Sequence, residues 1–229
     1  MVLAAAVACL ALSVVQVTVP SAYTTRLAAC LDLLNAIAAV AGLLACGVLR
    51  CSEAIFNAEK SINAYVLVND LILPWGRGSG QDILWSLLIW VLICLCRAYV
   101  ESPIETTNFA LQTLAFDLAA LLNMGMVFHA LHHCRGLTVI LDTFCQGVVG
   151  TKDFAGAVQE WNMLQAVLRG VCGAIQGMFV VQLSFANLAI LIVILDVSYE
   201  HTCAVRLIPG LILALANLRI SVWAAAVTE

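Results

Sequence analysis

Residues 178–195 read Met-Phe-Val-Val-Gln-Leu-Ser-Phe-Ala-Asn-Leu-Ala-Ile-Leu-Ile-Val-Ile-Leu, without a single charge. As a helix this stretch runs about 27 Å, close to the roughly 30 Å hydrocarbon core of a bilayer. No proline interrupts the pattern back to Glu160. One helix over 160–195 would therefore be about 54 Å long, and nearly half of it would stand outside the hydrocarbon. A helix that crosses a membrane and continues into water is the expectation from which the rest of the chain is read.

Composition agrees. Hydrophobic residues make up 63% of the 229 and charged residues 10%, against roughly 25% charged in a soluble domain. Mean hydropathy is +1.04. The apolar runs are long and continuous, unlike the alternating segments of roughly ten residues in a membrane β-barrel. The fold class read from this is all-α, a multi-pass transmembrane bundle forming a single domain over 1–229. No basic tract points to nucleic acid. The ten cysteines contain no C-x-x-C, and most read as small hydrophobic residues. Residues 2–15 lack the basic start of a signal peptide and read as an uncleaved first span.

Six apolar segments are expected to span: 2–19, 27–49, 82–100, 108–131, 163–195 and 205–226. The links after the first, third and fifth are short. Those after the second and fourth are long. The long-link side carries Arg50, Lys60, Arg77, Arg135, Lys152, Arg169 and Arg219; the short-link side carries Arg26, Arg97 and Arg206. The positive-inside rule then places the long links and both termini in the cytoplasm. The first long link has apolar residues at 55, 58, 62, 65 and 66, an amphipathic helical pattern. It ends at Leu73-Pro74-Trp75-Gly76-Arg77-Gly78-Ser79-Gly80, read as a chain breaker. The second long link carries Leu137, Ile140, Leu141 and Phe144 at helical spacing, then breakers at Gly147 and Gly150. Asp153 could cap the helix that becomes span five.

Catalytic and metal chemistry find little footing. His129-Ala130-Leu131-His132-His133 has the H-x-x-H-H spacing of one histidine box of membrane di-iron enzymes, and the three rings share a helix face. Those enzymes use three such boxes. This chain has four histidines in all, and His201 falls on the opposite side. No metal, no other cofactor and no catalytic residue is assigned. Gly76–Gly80 has the residues of a phosphate loop without the strand–loop–helix context.

Polar residues inside the spans are more informative, because an acid at mid-membrane costs roughly 2.5–3.5 kcal/mol on the insertion scale. Asp32 and Asn35, Trp90, Cys94 and Arg97, Gln112 and Asp117, and Ser184 and Asn187 all fall in the outer parts of four different spans. An outward-facing polar pocket would explain them; ordinary interhelical hydrogen bonding is the alternative. The ligand-pocket candidates are Asp32, Trp90, Arg97, Gln112, Asp117, Ser184 and Asn187. Asp117 is expected to share an outward-open cavity with at least two of Asp32, Arg97 and Asn187. Span five carries a second stripe, Gln165, Arg169, Cys172 and Gln176, and a G-x-x-x-G at Gly173 and Gly177 suited to close helix approach.

The order of parts resembles the insect gustatory and odorant receptor superfamily, in particular its gustatory receptor-like members outside insects. The residues that carry the resemblance are Glu160-Trp161-Asn162-Met163-Leu164, Gly177-Met178-Phe179 and the apolar run to Tyr199. His133-Cys134-Arg135-Gly136-Leu137-Thr138 leading to Asp142-Thr143-Phe144 is similar to the preceding cytoplasmic helix. The resemblance implies a subunit of a ligand-gated cation channel in the plasma membrane, assembled as a homo- or hetero-tetramer and opened by a small molecule. It implies a subunit anchor in the cytoplasmic part of span five, with Leu164, Gln165, Leu168 and Arg169 as candidates. Leu164 and Leu168 should then leave apolar surface exposed in a single chain. Family members carry a seventh, pore-lining span with a T-Y-x5-Q-F-like motif, which these 229 residues do not contain. The competing expectation is a small transporter with an outward-facing polar cavity, which requires polar groups reaching both sides of the membrane.

Overall fold

In a computed structural model, the described residues are 2–18, 26–45, 72–101, 107–151, 154–199 and 207–226. They form six helices and no strand: α1 (Val2–Thr18), α2 (Arg26–Ala45), α3 (Ile72–Glu101), α4 (Thr107–Thr151), α5 (Phe154–Tyr199) and α6 (Ile208–Ala226). Four contain stretches long and apolar enough to cross a membrane: 27–45, 78–100, 110–150 and 175–198. Shorter apolar stretches occupy Val2–Val15 and Ile208–Val222. The expected amphipathic helix of the first long link, and the cap at Asp153, lie outside the described residues.

The helix expected in the second long link is a continuation of α4. α4 is 45 residues long and α5 is 46, about 68 and 69 Å at 1.5 Å per residue. The segment at 137–146 continues α4 without a break, and Gly147 and Gly150 lie inside the helix. A glycine costs a helix only about 1 kcal/mol relative to alanine, too little by itself to end so long a helix. The link thus becomes a helical hairpin. The breaker cluster also turns out helical: α3 starts at Ile72, so Pro74 falls in its first turn, where a missing N–H costs nothing.

α2 and α4 form the middle of the bundle. α2 packs on α1, α4 and α5; α4 packs on α1, α2, α3 and α6. The main core joins Leu31 and Ala38 of α2, Ile93 of α3, Phe116 and Met124 of α4, Phe185 of α5 and Leu213 of α6. Two glycines allow the closest approaches. A Cβ on Gly42 would fall 2.3 Å from the Met126 sulfur, and one on Gly210 would fall 2.2 Å from Leu31. Of the G-x-x-x-G pair, Gly177 receives Ala45 at the end of α2, whereas Gly173 faces open space.

The exposed apolar side chains mark the lipid contact. On α3 they run from Ile83 to Leu95 and on α5 from Val180 to Val197, about 18 and 26 Å along the axes. In water such belts would be a liability; in a bilayer they are the surface that hydrocarbon covers.

Below the belts the hairpin has a core of its own. Leu137 and Ile140 of α4 enclose Leu164 and Val171 of α5, flanked by Leu141, Phe144, Val167 and Leu168. This corrects the expectation of exposed apolar surface at Leu164 and Leu168: Leu164 is fully buried and Leu168 half-buried, because the continued α4 covers them. The exposed apolar residues of the hairpin are Val149, Phe154, Val158, Trp161 and Met163 instead. The inner end of α6 closes the base, with Ile220 against Ile175 and Met178.

Candidate functional site

Trp90, Cys94 and Arg97 recur at steps of four and three, one face of α3. Asp32 and Asn35, three residues apart, share a face of α2. These faces meet α4 at Phe116 and Asp117. Arg97 grips Asp32 with both terminal nitrogens: Nη1 donates to Oδ1 at 3.0 Å and Nη2 to Oδ2 at 2.8 Å. Both side chains are buried, and the guanidinium lies 4.7 Å from the centre of the Phe116 ring. The fork geometry and the aromatic face are what a planar cation needs when water is withdrawn. Trp90 Nε1 donates to the backbone carbonyl of Asp117 at 3.1 Å. The Asp117 carboxylate lies beside the Cys94 thiol and the Arg97 charge. Its Oδ1 is buried without a hydrogen-bond partner.

Of the seven pocket candidates, the structure therefore brings four together: Asp32, Trp90, Arg97 and Asp117. Gln112 is half-buried, more than a turn further along α4. Ser184 and Asn187 are exposed, and Asn187 donates to the Leu183 carbonyl of its own helix. Asp117 keeps company with two of its three expected neighbours, Asp32 and Arg97. A cavity of about 370 Å³ lies between Phe144, Val148, Val158 and Trp161 at the hairpin tip.

Two further polar levels were not foreseen. One is a chain of amides at mid-bundle. Gln182 Nε2 donates to Asn123 Oδ1 at 3.0 Å, Asn123 Nδ2 to Asn35 Oδ1 at 2.7 Å, and Asn35 Nδ2 to the Phe116 carbonyl at 3.3 Å. All three side chains are essentially inaccessible. The signal was present in the sequence, since Asn123 and Gln182 each interrupt an apolar run. The other level joins α3, α4 and α6. Arg135 Nε and Arg219 Nη2 donate to the two oxygens of buried Asp82, at 2.9 and 2.8 Å. Nearby, Ser79 and His132 share a 2.7 Å hydrogen bond.

The three histidines contact one another and Ser79. His132 is held by Ser79, and His133 meets His129 at 3.2 Å. Among the described residues, no three His, Cys, Asp or Glu side chains are placed to hold a metal ion. Purified protein should carry neither iron nor zinc in stoichiometric amount by elemental analysis. A full equivalent of either, lost on His132→Ala, would reverse this reading.

Gln165 and Arg169 pair with each other at 3.4 Å on the outer side of the hairpin. Leu164 and Leu168 serve the hairpin core and do not face outward.

These features fit a helical membrane protein, in which buried Asp32 and Asp82 each receive an arginine from another helix. No known protein family, curated protein or solved structure matches the chain.

Proposed function

We propose that the chain is a chemoreceptor-like subunit of a ligand-gated cation channel in the plasma membrane. On this reading it has six spans, a cytoplasmic N-terminus and a cytoplasmic α4–α5 hairpin. A small molecule binds at the outer cluster of Asp32, Trp90, Arg97 and Asp117. The observation that carries the reading is the cluster itself. Its arginine is already committed to Asp32, while Asp117 keeps one carboxylate oxygen without a partner. A group in that condition gains from an incoming hydrogen-bond donor. The test uses the protein in lipid nanodiscs with a panel of small amines, alcohols and acids, read by tryptophan fluorescence. A responding compound should lose its signal in Trp90→Phe and its affinity in Asp117→Asn. Undiminished affinity in Asp117→Asn would remove this site. Conductance in a bilayer, opened by the same compound, tests the channel.

The hairpin is the proposed subunit contact, and its exposed Met163 is the position to probe. Met163→Cys should resist an impermeant thiol reagent applied from outside the cell and should cross-link between subunits with a permeant one. Labelling from outside would invert the orientation, and efficient labelling without a cross-linked product would argue against the anchor.

One observation favours a carrier as the second reading. Buried or half-buried polar groups lie at three levels of α4, at Asp117, Asn123 and Arg135, over about 27 Å. That nearly spans a bilayer core. Saturable uptake of a small polar solute without conductance, abolished by Asn123→Leu, would select the carrier.

A further inference from the structure

Cys172 belongs to the stripe Gln165, Arg169, Cys172 and Gln176, which neither reading above uses. Across from it stands Cys134 of α4. The two helices run antiparallel through the hairpin, and two sets of contacts fix their register. Towards the bundle, Val127 and Leu131 of α4 cluster with Ile175 and Met178 of α5. Towards the tip, Leu137 and Ile140 cluster with Val171 and Leu164. Cys134 is three residues from both Leu131 and Leu137, and Cys172 lies between Val171 and Ile175. One level of the hairpin therefore carries a thiol from each helix, and the two sulfurs lie close enough to interact electrostatically.

Their surroundings differ in the way a reactive pair needs. Both are free thiols, but Cys172 is exposed and Cys134 is buried, with 4% of it accessible. A small oxidant reaches the exposed sulfur directly. The buried one is shielded from it, yet is placed to attack its neighbour once that sulfur has been oxidised. Cys172 also stands just before the apolar stretch 175–198, where a small uncharged oxidant has access from water. Cys145 of α4 is exposed as well. It lies 11 residues beyond Cys134, about 17 Å along the axis, too far from this level to join the pair.

We propose that Cys134 and Cys172 form a peroxide-reactive thiol pair that closes into a disulfide across the base of the hairpin. Cys172 reacts first. Its sulfur takes one oxygen of hydrogen peroxide to become a sulfenic acid, the O–O bond breaks, and the other oxygen leaves as water. Cys134 then attacks the Cys172 sulfur, the S–O bond breaks, and the hydroxyl leaves as a second water with the Cys134 proton. The two thiols lose two electrons and two protons in all, and one peroxide is reduced to two waters. A dithiol reductant returns both sulfurs to thiols by exchange. The new bond lies between the two contact clusters, so it ties the hairpin at its root.

The experiment takes the reduced full chain in nanodiscs, treats it with hydrogen peroxide, blocks remaining thiols with N-ethylmaleimide and digests it without reductant. Mass spectrometry should find the peptides of Cys134 and Cys172 linked to each other, and dithiothreitol should release them. Cys134→Ala and Cys172→Ser should each lose the linked peptide, but not in the same way. Cys134→Ala should accumulate a sulfenic acid at Cys172 that dimedone traps, whereas Cys172→Ser should leave Cys134 unoxidised. Cys145→Ser, the control, should form the link as the wild type does. Hydrogen exchange at 137–171 should slow about a hundredfold on oxidation, the usual effect of a cross-link closing a loop of this size. Oxidation of Cys172 in the wild type without a link to Cys134 would overturn the proposal. So would a link found only between separate copies when isotopically heavy and light protein are mixed. Linkage without slower exchange would mean that the bond forms only in an opened hairpin, which overturns the pairing across its folded base.

Discussion

Arg97→Leu should remove most of the folded protein from the membrane, while the double variant Asp32→Leu/Arg97→Leu should largely restore it. The reason lies in the burial of the pair. Asp32 and Arg97 expose 5% and 7% of their side chains and meet through two parallel hydrogen bonds. Removing one partner leaves a buried charge with its main counter-ion gone, which costs about 3–5 kcal/mol. Removing both exchanges an ion pair for apolar groups, which is often neutral or stabilising. A double-mutant cycle on thermal or denaturant stability measures the coupling directly. Independent, additive losses would mean that the two side chains do not depend on each other. The double variant has a second use. If the outer cluster receives a ligand, the restored protein should still fail to give the Trp90 fluorescence response, which separates folding from recognition.

Apolar periodicity made the helices legible, but not which side chains meet between them. The run at 178–195 announced a spanning helix by length alone. Asp32, Trp90, Arg97 and Asp117 could be singled out because a polar group in hydrocarbon is costly wherever it stands. That Arg97 would take Asp32 as its bidentate partner is a fact about three helices packed in space, and helical spacing within one of them does not contain it. Ser184 and Asn187 illustrate the converse. They share the depth of the cluster but not its direction, and Asn187 satisfies itself on its own backbone. Gly147, Gly150 and the segment from Leu73 to Gly80 were read as breaks because glycine weakens a helix in isolation. Within a bundle the packing of apolar neighbours overrides that weakness. At Gly78 the Arg135 side chain occupies the space a Cβ would take, 2.5 Å from its Cδ. The packing of span five's cytoplasmic half on a helix at 137–146 was legible in the spacing of Leu137, Ile140, Leu141 and Phe144; that this helix continues α4 without a break and buries Leu164 completely was not.

That hairpin should behave as a separable unit, and Leu164→Asp should melt its tip while leaving the bundle folded. Leu164 is 0% exposed, enclosed by Leu137, Ile140 and Val171. Truncating such a leucine to alanine costs about 2–5 kcal/mol. A carboxylate adds the cost of an unpaired polar group among aliphatic side chains, a large loss for a core as small as the hairpin's. The bundle has a different core, around Ile93, Phe116, Phe185 and Leu213, which shares no residue with the hairpin cluster. Hydrogen exchange should therefore accelerate by orders of magnitude at 137–171 and change little at 180–195. Met163→Asp, one residue away but 56% exposed, is the control and should shift stability by no more than about 0.5 kcal/mol. If exchange rises together in the hairpin and the spans, the two cores unfold as one unit, and the hairpin is then part of the bundle's stability rather than an arm available to a neighbouring subunit.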